Sequence, residues 1–102
     1  MSEPVVVTDN HVASRFEAQV GGVLAGFADY RLTGEGFIVF PHTEVSPDFE
    51  GRGIGSSLVR QALDKVQADG GLTVVPVCPF VRSWILRHPG YADLAHLGPW
   101  DG

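Results

Sequence analysis

Apolar and polar side chains alternate near the start of the chain. Phe16, Ala18 and Val20 alternate with Arg15, Glu17 and Gln19, the period-2 pattern of a half-buried strand. Gly21-Gly22 supplies the positive φ angles of a tight hairpin turn. Val23 to Leu32 reads as the return strand, with Leu24, Ala28, Tyr30 and Leu32 on one face. Thr33-Gly34-Glu35-Gly36 is a second turn. Phe37 to Val45 is a third strand, apolar on both faces at first and therefore central. Pro41 within it removes a ladder donor, which predicts a bulge or an unpaired stretch. Val5 to Thr8 reads either as a short extra strand or as an ordered arm.

Ser46-Pro47-Asp48 breaks the pattern, and the period changes after it. Ile54, Leu58, Ala62 and Val66 recur every four residues, with Val59 and Leu63 beside them. That is the stripe of an amphipathic helix from about Gly53 to Asp69. Gly70-Gly71 ends it, where glycine takes the left-handed cap. Leu72 to Val77 is short, apolar and rich in β-branched residues, as in a buried strand. A helix joining two such strands is a right-handed crossover, so this strand pair is parallel. Phe80 to His88 reads as a last short helix, stopped by Pro89-Gly90, with Trp84 and Ile85 in the core. Beyond it, Trp100 is the residue expected to cover the core. The order β-β-β-α-β-α describes an α/β (α+β) fold with a mixed antiparallel and parallel sheet.

Composition narrows the function classes. The chain has 102 residues, the size of one domain spanning 1–102 that buries about two-thirds of its unfolded surface. Its formal charge of −5 argues against a broad nucleic-acid surface. The single cysteine excludes an intrachain disulfide and a Cys-rich zinc site, and a lone thiol suits a reducing compartment. The nearly apolar stretch Leu72 to Val81 is too short to span a bilayer. Met1-Ser2-Glu3-Pro4 lacks the basic start and apolar core of a signal peptide. The expectation is a cytoplasmic protein without nucleic-acid or membrane partners, as a monomer or weak homodimer.

Candidate chemistry begins at Glu50-Gly51-Arg52-Gly53-Ile54-Gly55-Ser56, between the third strand and the long helix. Alternate glycines let the backbone approach a ligand closely. The loop opens into a helix N-terminus, whose free N–H groups and dipole attract anions, and Arg52 adds a charge. A phosphate or pyrophosphate is favoured over the bland reading of a tight turn and a closely packed helix start. The dinucleotide fingerprint fails, because neither Gly51 nor Gly53 as first residue brings a third glycine into place. The P-loop fails because no lysine follows a candidate glycine.

Val45-Ser46-Pro47-Asp48-Phe49-Glu50-Gly51-Arg52-Gly53-Ile54-Gly55-Ser56-Ser57-Leu58 resembles motif A of the GCN5-related N-acetyltransferases. That motif runs Arg/Gln-x-x-Gly-x-Gly/Ala and cradles the pyrophosphate of acetyl-coenzyme A. Gly53 and Gly55 match it, whereas Glu50 departs from the Arg/Gln place. Three further segments narrow the likeness: Pro41-His42-Thr43-Glu44-Val45, Val75-Pro76-Val77-Cys78-Pro79-Phe80-Val81 and Arg87-His88-Pro89-Gly90-Tyr91. Together they resemble the small, single-domain N-acetyltransferase domain-containing protein 1-like family over roughly residues 14–94. The resemblance implies a minimal acyl-CoA N-acyltransferase fold without the N-terminal helices and C-terminal hairpin of larger members. It implies acetyl-CoA (coenzyme A) as cofactor, with Cys78 near the thioester.

The residues add their own reasons. Cys78 precedes Pro79, which favours the first helical position, so Cys78 is read as a helix N-cap. Helix starts favour thiolate, the nucleophile of acyl transfer; the alternative is an inert cysteine filling the core. His42 and Glu44 alternate in one strand and share a face, so either can act as general base or serve only as a structural or solvated residue. Arg82 and Arg87 read as a solvated face or as partners of the adenosine 3′-phosphate. His11, His88 and His96 have no metal-like spacing.

The function expected is an acetyl-CoA-dependent N-acetyltransferase acting on a small-molecule or peptide amine. Val45, Glu50, Gly51, Arg52, Gly53, Ile54, Gly55 and Ser56 would hold the cofactor in a gap where the third and fourth strands splay. Glu44 or His42 would take the amine proton, with acetyl transfer either direct or through Cys78. The competing readings are a non-catalytic acetyl-CoA/CoA-binding regulatory module and a purely structural interaction domain.

Overall fold

The computed structural model describes residues 3–100; Met1, Ser2, Asp101 and Gly102, including the first two positions read for a leader, lie outside the described residues. Strands β1 (Val5–Asn10), β2 (Arg15–Val20), β3 (Val23–Leu32), β4 (Phe37–Val45) and β5 (Thr73–Pro76) form one sheet in chain order. The first four are antiparallel neighbours, and β5 runs parallel to β4. The crossover between them is α1 (Ile54–Asp69), and α2 (Pro79–Arg87) follows β5. The segment at Val5 is a strand, paired with β2 from Val5↔Val20 to Asn10↔Arg15.

One face of the sheet carries the main core. Phe16, Ala18 and Val20 are buried there, as their alternation predicts, against Leu58, Val59, Ala62, Leu63 and Val66 of α1 and Val81, Trp84 and Ile85 of α2. Burial of this stripe, more than intrinsic propensity, is what holds the helices in place. Phe37 alternates with Ile38 and therefore faces the other way. Trp100 lies edge-on against Phe37 at 5.0 Å, so this tryptophan covers the face opposite the main core. The chain after α2 also shields the outer edge of β5, where the His96 N–H donates to the Val74 carbonyl at 2.7 Å.

Two bulges reset the faces. In β4 the register passes from Asp29↔His42 to Arg31↔Val39, so Tyr30 opposes both Phe40 and Pro41. The proline's missing donor sits where the ladder is broken. In β3 the register passes from Ala18↔Gly26 to Gln19↔Leu24, leaving Ala25 as the extra residue. An extra residue inverts every side chain before it. The single face expected for Leu24, Ala28, Tyr30 and Leu32 is therefore not formed. Ala28 and Tyr30 are buried, whereas Leu24 lies exposed ahead of the bulge and Leu32 lies exposed at the strand end.

Tyr30 ties β3 to β1 through a hydrogen bond from its hydroxyl to Asp9 Oδ1 at 2.7 Å. Burial, and then the Asp9 carboxylate, push this hydroxyl up from 10.0 to about 12. Tyr91 donates to Asp64 Oδ1 at 2.7 Å and is raised mainly by that bond. A raised folded-state value favours the protonated, folded form. The contribution of Tyr30 is thus complete below pH 10.0 and fades as the pH rises through about 12. Tyr30→Phe is expected to lower stability by about 1–3 kcal/mol at neutral pH. It should also flatten the alkaline decline in urea midpoint, leaving the part due to Tyr91. An alkaline decline as steep as that of the wild type would contradict this account.

Candidate functional site

The site follows from the unequal lengths of β4 and β5. Their pairing ends at Phe40↔Pro76, with one more rung from the Cys78 N–H to the Phe40 carbonyl at 2.8 Å. Beyond this point β4 continues to Val45 beside β3 alone. The Ser46 N–H donates to the Ala25 carbonyl at 2.8 Å. Antiparallel alternation then turns the backbone of Glu44 and His42 toward β3, and that of Val45 and Thr43 toward the opening. The bulge at Pro41 produces this change of direction. The opening thus lies where the sequence reading expected a gap between its third and fourth strands, and it arises because β5 ends while β4 runs on.

The glycine loop borders this opening. Pro47–Phe49 forms a short 3-10 turn, and the Glu50 N–H donates to the Pro47 carbonyl at 3.4 Å. Glu50 is exposed, and its backbone donor is used within the turn. Gly51 and Gly53 have φ values of +80° and +73°, and a Cβ on either would meet nothing within 4 Å. Their glycines satisfy the backbone and leave the space beyond them open. Gly53 caps α1 without a side-chain hydrogen bond, and the first turn contains no acidic residue. The first helical rung runs from the Ser57 N–H to the Gly53 carbonyl at 3.0 Å. The N–H groups of Ile54, Gly55 and Ser56 precede it, the donors that a helix start offers to an anion.

The predicted loop residues thus divide by role. Gly51, Arg52 and Gly53 are exposed, with the Arg52 guanidinium 5.3 Å over the Phe49 ring. The Ile54 side chain belongs to the core, so only its backbone faces the loop. Gly55 serves packing: a Cβ there would come within 2.7 Å of Phe80 Cζ on α2. Ser56 Oγ accepts a hydrogen bond from Trp84 Nε1 at 2.9 Å. The bland reading therefore holds for the side chains of these last three residues, and their backbone donors remain for a ligand.

Cys78 caps α2, with Pro79 in the first turn. Its thiol is buried and donates to Thr43 Oγ1 at 3.6 Å. His42 Nε2 and Glu44 Oε1 are 3.0 Å apart, and both side chains are more than half exposed, at 54% and 58%. Strand alternation places this pair on the face of the sheet opposite Thr43 and Cys78. The structure therefore unites His42 with Glu44 and separates both from the cysteine. Thr43 escaped the sequence reading, although its place between His42 and Glu44 already put it on the other face.

A groove of about 420 Å³ lies beside the pair, lined by Leu24, Ala25, Gly26, Phe27, Glu44, Val45, Ser46 and Pro47. Gly26 allows the close approach of the strands, since a Cβ there would fall 2.7 Å from the Glu44 carbonyl oxygen. The Arg15 guanidinium lies 4.4 Å from the centre of the Phe27 ring and is held by Glu17 at 2.7 Å. That bond, and then one from Asn10, hold the Glu17 carboxyl below its usual range.

Of the remaining candidates, Arg87 is exposed, and the others have neighbours of their own. Arg82 donates to the Leu97 carbonyl at 2.8 Å. His88 stacks on Trp84 at 3.9 Å, and His96 Nε2 lies 2.9 Å from the Pro99 carbonyl oxygen. His11 Nδ1 lies 3.5 Å from Asp9 Oδ2 at the surface. Among the described residues, no group of three or more His, Cys, Asp or Glu side chains could hold a metal ion. Among them, too, no helix is long and apolar enough to cross a membrane.

The sequence model of the family described as GCN5-related N-acetyl-transferase matches residues 15–94. The chain belongs to the GCN5-related N-acetyltransferase family. Protein NATD1 of Gallus gallus is 31% identical over 70 residues, which cover 69% of this chain and 63% of that protein. The match thus spans less than two-thirds of the length of the chicken relative. The solution structure of a GCN5-like protein from Staphylococcus aureus is 18% identical, with a TM-score of 0.69 over 92% of this chain and 90% of that one. A structure of AAC(6')-Iy in complex with the bisubstrate analogue CoA-S-monomethyl-acetylneamine is also 18% identical. Its TM-score is 0.51 over 86% of this chain and 65% of that one. These two likenesses show the N-acetyltransferase fold, the mixed α/β sheet expected from the sequence.

Proposed function

We propose that this member of the family is an acetyl-CoA-dependent N-acetyltransferase acting on a primary amine. The observation that carries the reading is the opening beyond Phe40↔Pro76, flanked by the α1 N-terminus on one side and Cys78 on the other. The residues suit coenzyme A. Uncapped donors at Ile54, Gly55 and Ser56 suit a pyrophosphate, and the open space over Gly51 and Gly53 admits it. Arg52 adds a positive charge at the rim, and the exposed Glu50 carboxylate can turn to solvent. The Val45 backbone, turned toward the opening, suits the amide-bearing pantetheine arm.

Chemically, the amine nitrogen forms a bond to the thioester carbonyl carbon, and the carbon–sulfur bond breaks. The coenzyme A sulfur leaves with the electron pair and takes up a proton. Glu44, or His42 beside it, accepts the proton that the amine loses. The separation of this pair from Cys78 by the thickness of the sheet favours direct transfer, with the cysteine lining the channel. The reaction is assigned to the cytoplasm, where the free Cys78 thiol stays reduced. A coenzyme-A-binding module without turnover is the second reading. It is favoured by Glu50 standing in the motif's basic or amide position.

Calorimetry with acetyl-CoA is expected to give saturable binding. Its absence at near-millimolar ligand would sink the reading, and binding without turnover across an amine panel would favour the second. Intact mass after incubation with acetyl-CoA is expected to show no stable adduct on the wild type. A gain of about 42 Da, one acetyl group on a nucleophilic sulfur, that disappears in Cys78→Ala would instead establish the route through the cysteine.

A further inference from the structure

We propose that the groove beside Glu44 selects acceptors carrying one primary ammonium on an apolar body, a substrate class that rests on the acetyltransferase reading above. The groove's volume of about 420 Å³ falls among small-molecule sites, which run to about 300–1,000 Å³. Glu44 is the one charged residue of its lining. Ser46 is the other residue of the lining with a polar side chain, and Leu24, Phe27, Val45 and Pro47 bring apolar side chains.

Leu24 gives the strongest argument. The bulge at Ala25 turns it out of the main core and leaves it 40% exposed. Its side chain is thereby placed in the groove lining together with Phe27, Val45 and Pro47, where it can meet the carbon body of a ligand. Phe27 extends the same wall, with one neighbour already fixed. The Arg15 cation lies over its ring, and Glu17 compensates that charge. The pair offers no free carboxylate to a second ammonium. A diamine that laid its distal charge against Leu24, Phe27 and Pro47 would lose hydration there without gaining a partner in the lining. A monoamine with an apolar body places its charge at Glu44 and removes its carbon surface from water. The same chemistry occurs in a free aralkyl amine and in a peptide N-terminus with an apolar first residue.

The test compares acetyl transfer from acetyl-CoA to 2-phenylethylamine, to a peptide beginning with Phe, to a peptide beginning with Gly and to 1,4-diaminobutane. The expected result is a kcat/KM at least about tenfold higher for one or both apolar acceptors than for the diamine and the Gly peptide. Preference between the two apolar acceptors identifies the source. Equal or better transfer to the diamine overturns the proposal. Titration of 2-phenylethylamine alone, followed by amide NMR, reads the groove without any transfer. Saturable shifts at Leu24, Phe27 and Glu44 support the proposal even if no acetylation occurs, in which case only the acetyltransferase reading fails. No shifts there, with and without coenzyme A, overturn it. Leu24→Glu, at a position outside the main core, adds a second carboxylate to the wall, and a far-ultraviolet spectrum and urea midpoint confirm that the variant is folded. It should shift the preference toward 1,4-diaminobutane by about tenfold, seen in kcat/KM or in amine affinity, and an unchanged preference counts against the proposal.

Discussion

Trp84→Ala is expected to lower the free energy of unfolding by about 3–5 kcal/mol, a large part of the roughly 5–15 kcal/mol available to a domain. The side chain is among the largest that are fully buried. It stacks on His88 at 3.9 Å and meets Tyr91 edge-on at 4.8 Å. Its indole N–H donates to Ser56 Oγ at 2.9 Å. Truncation therefore empties a core volume and removes the tie between α2 and the first turn of α1. Trp84→Phe keeps most of the ring packing and loses the donor, so its cost should be nearer about 1–2 kcal/mol. Urea unfolding of the three proteins measures both steps. A loss below about 1 kcal/mol for Trp84→Ala would mean that the site collapses around the gap, contrary to a rigid close-packed core. The same tie has a functional side. Ser56 belongs to the first turn of α1, whose N–H groups are proposed to hold the pyrophosphate, so on that proposal coenzyme A affinity should fall with stability in this series.

Much of this architecture can be read from residue patterns, and the failures have a common physical cause. Alternation between Phe16 and Val20 and the four-residue recurrence from Ile54 to Val66 report burial of one face, and local periodicity is sufficient for that. Pro41 flags its bulge because a residue without an N–H cannot sit in a central ladder. The bulge at Ala25 carries no comparable chemical mark, so the period-2 rule runs through it and assigns Leu24 to the wrong face. Distant pairings are equally silent. Nothing local to His96 states that its N–H will meet the Val74 carbonyl, or that Trp100 will lie on Phe37. The glycine loop shows a similar limit: the spacing points to an anion site, but only the packed structure separates Gly51 and Gly53, which are open, from Gly55, which makes room for Phe80. For the candidate residues, alternation unites His42 with Glu44, but the position of Cys78 relative to them depends on where β5 stops and α2 begins.

That relation of faces makes the second large prediction specific. Because His42 Nε2 and Glu44 Oε1 lie 3.0 Å apart, a proton accepted by one can pass to the other. Glu44→Gln and His42→Gln are each expected to lower kcat, and the double variant to lower it by about 10²–10⁴-fold, the usual worth of a general base. Residues that act as one unit do not combine independently, so the double loss should fall short of the product of the single losses. Cys78→Ala, which changes the opposite face, should leave most of the turnover if transfer is direct. If Cys78→Ala instead loses as much as the double variant, the acetyl group passes through the cysteine, and the His42–Glu44 pair acts only in the second half-reaction. Single-turnover measurements, which resolve formation of an acylated protein from its decay, separate these cases. A double variant within about threefold of the wild type would remove the pair from the chemistry, since a positioned base is worth far more than that.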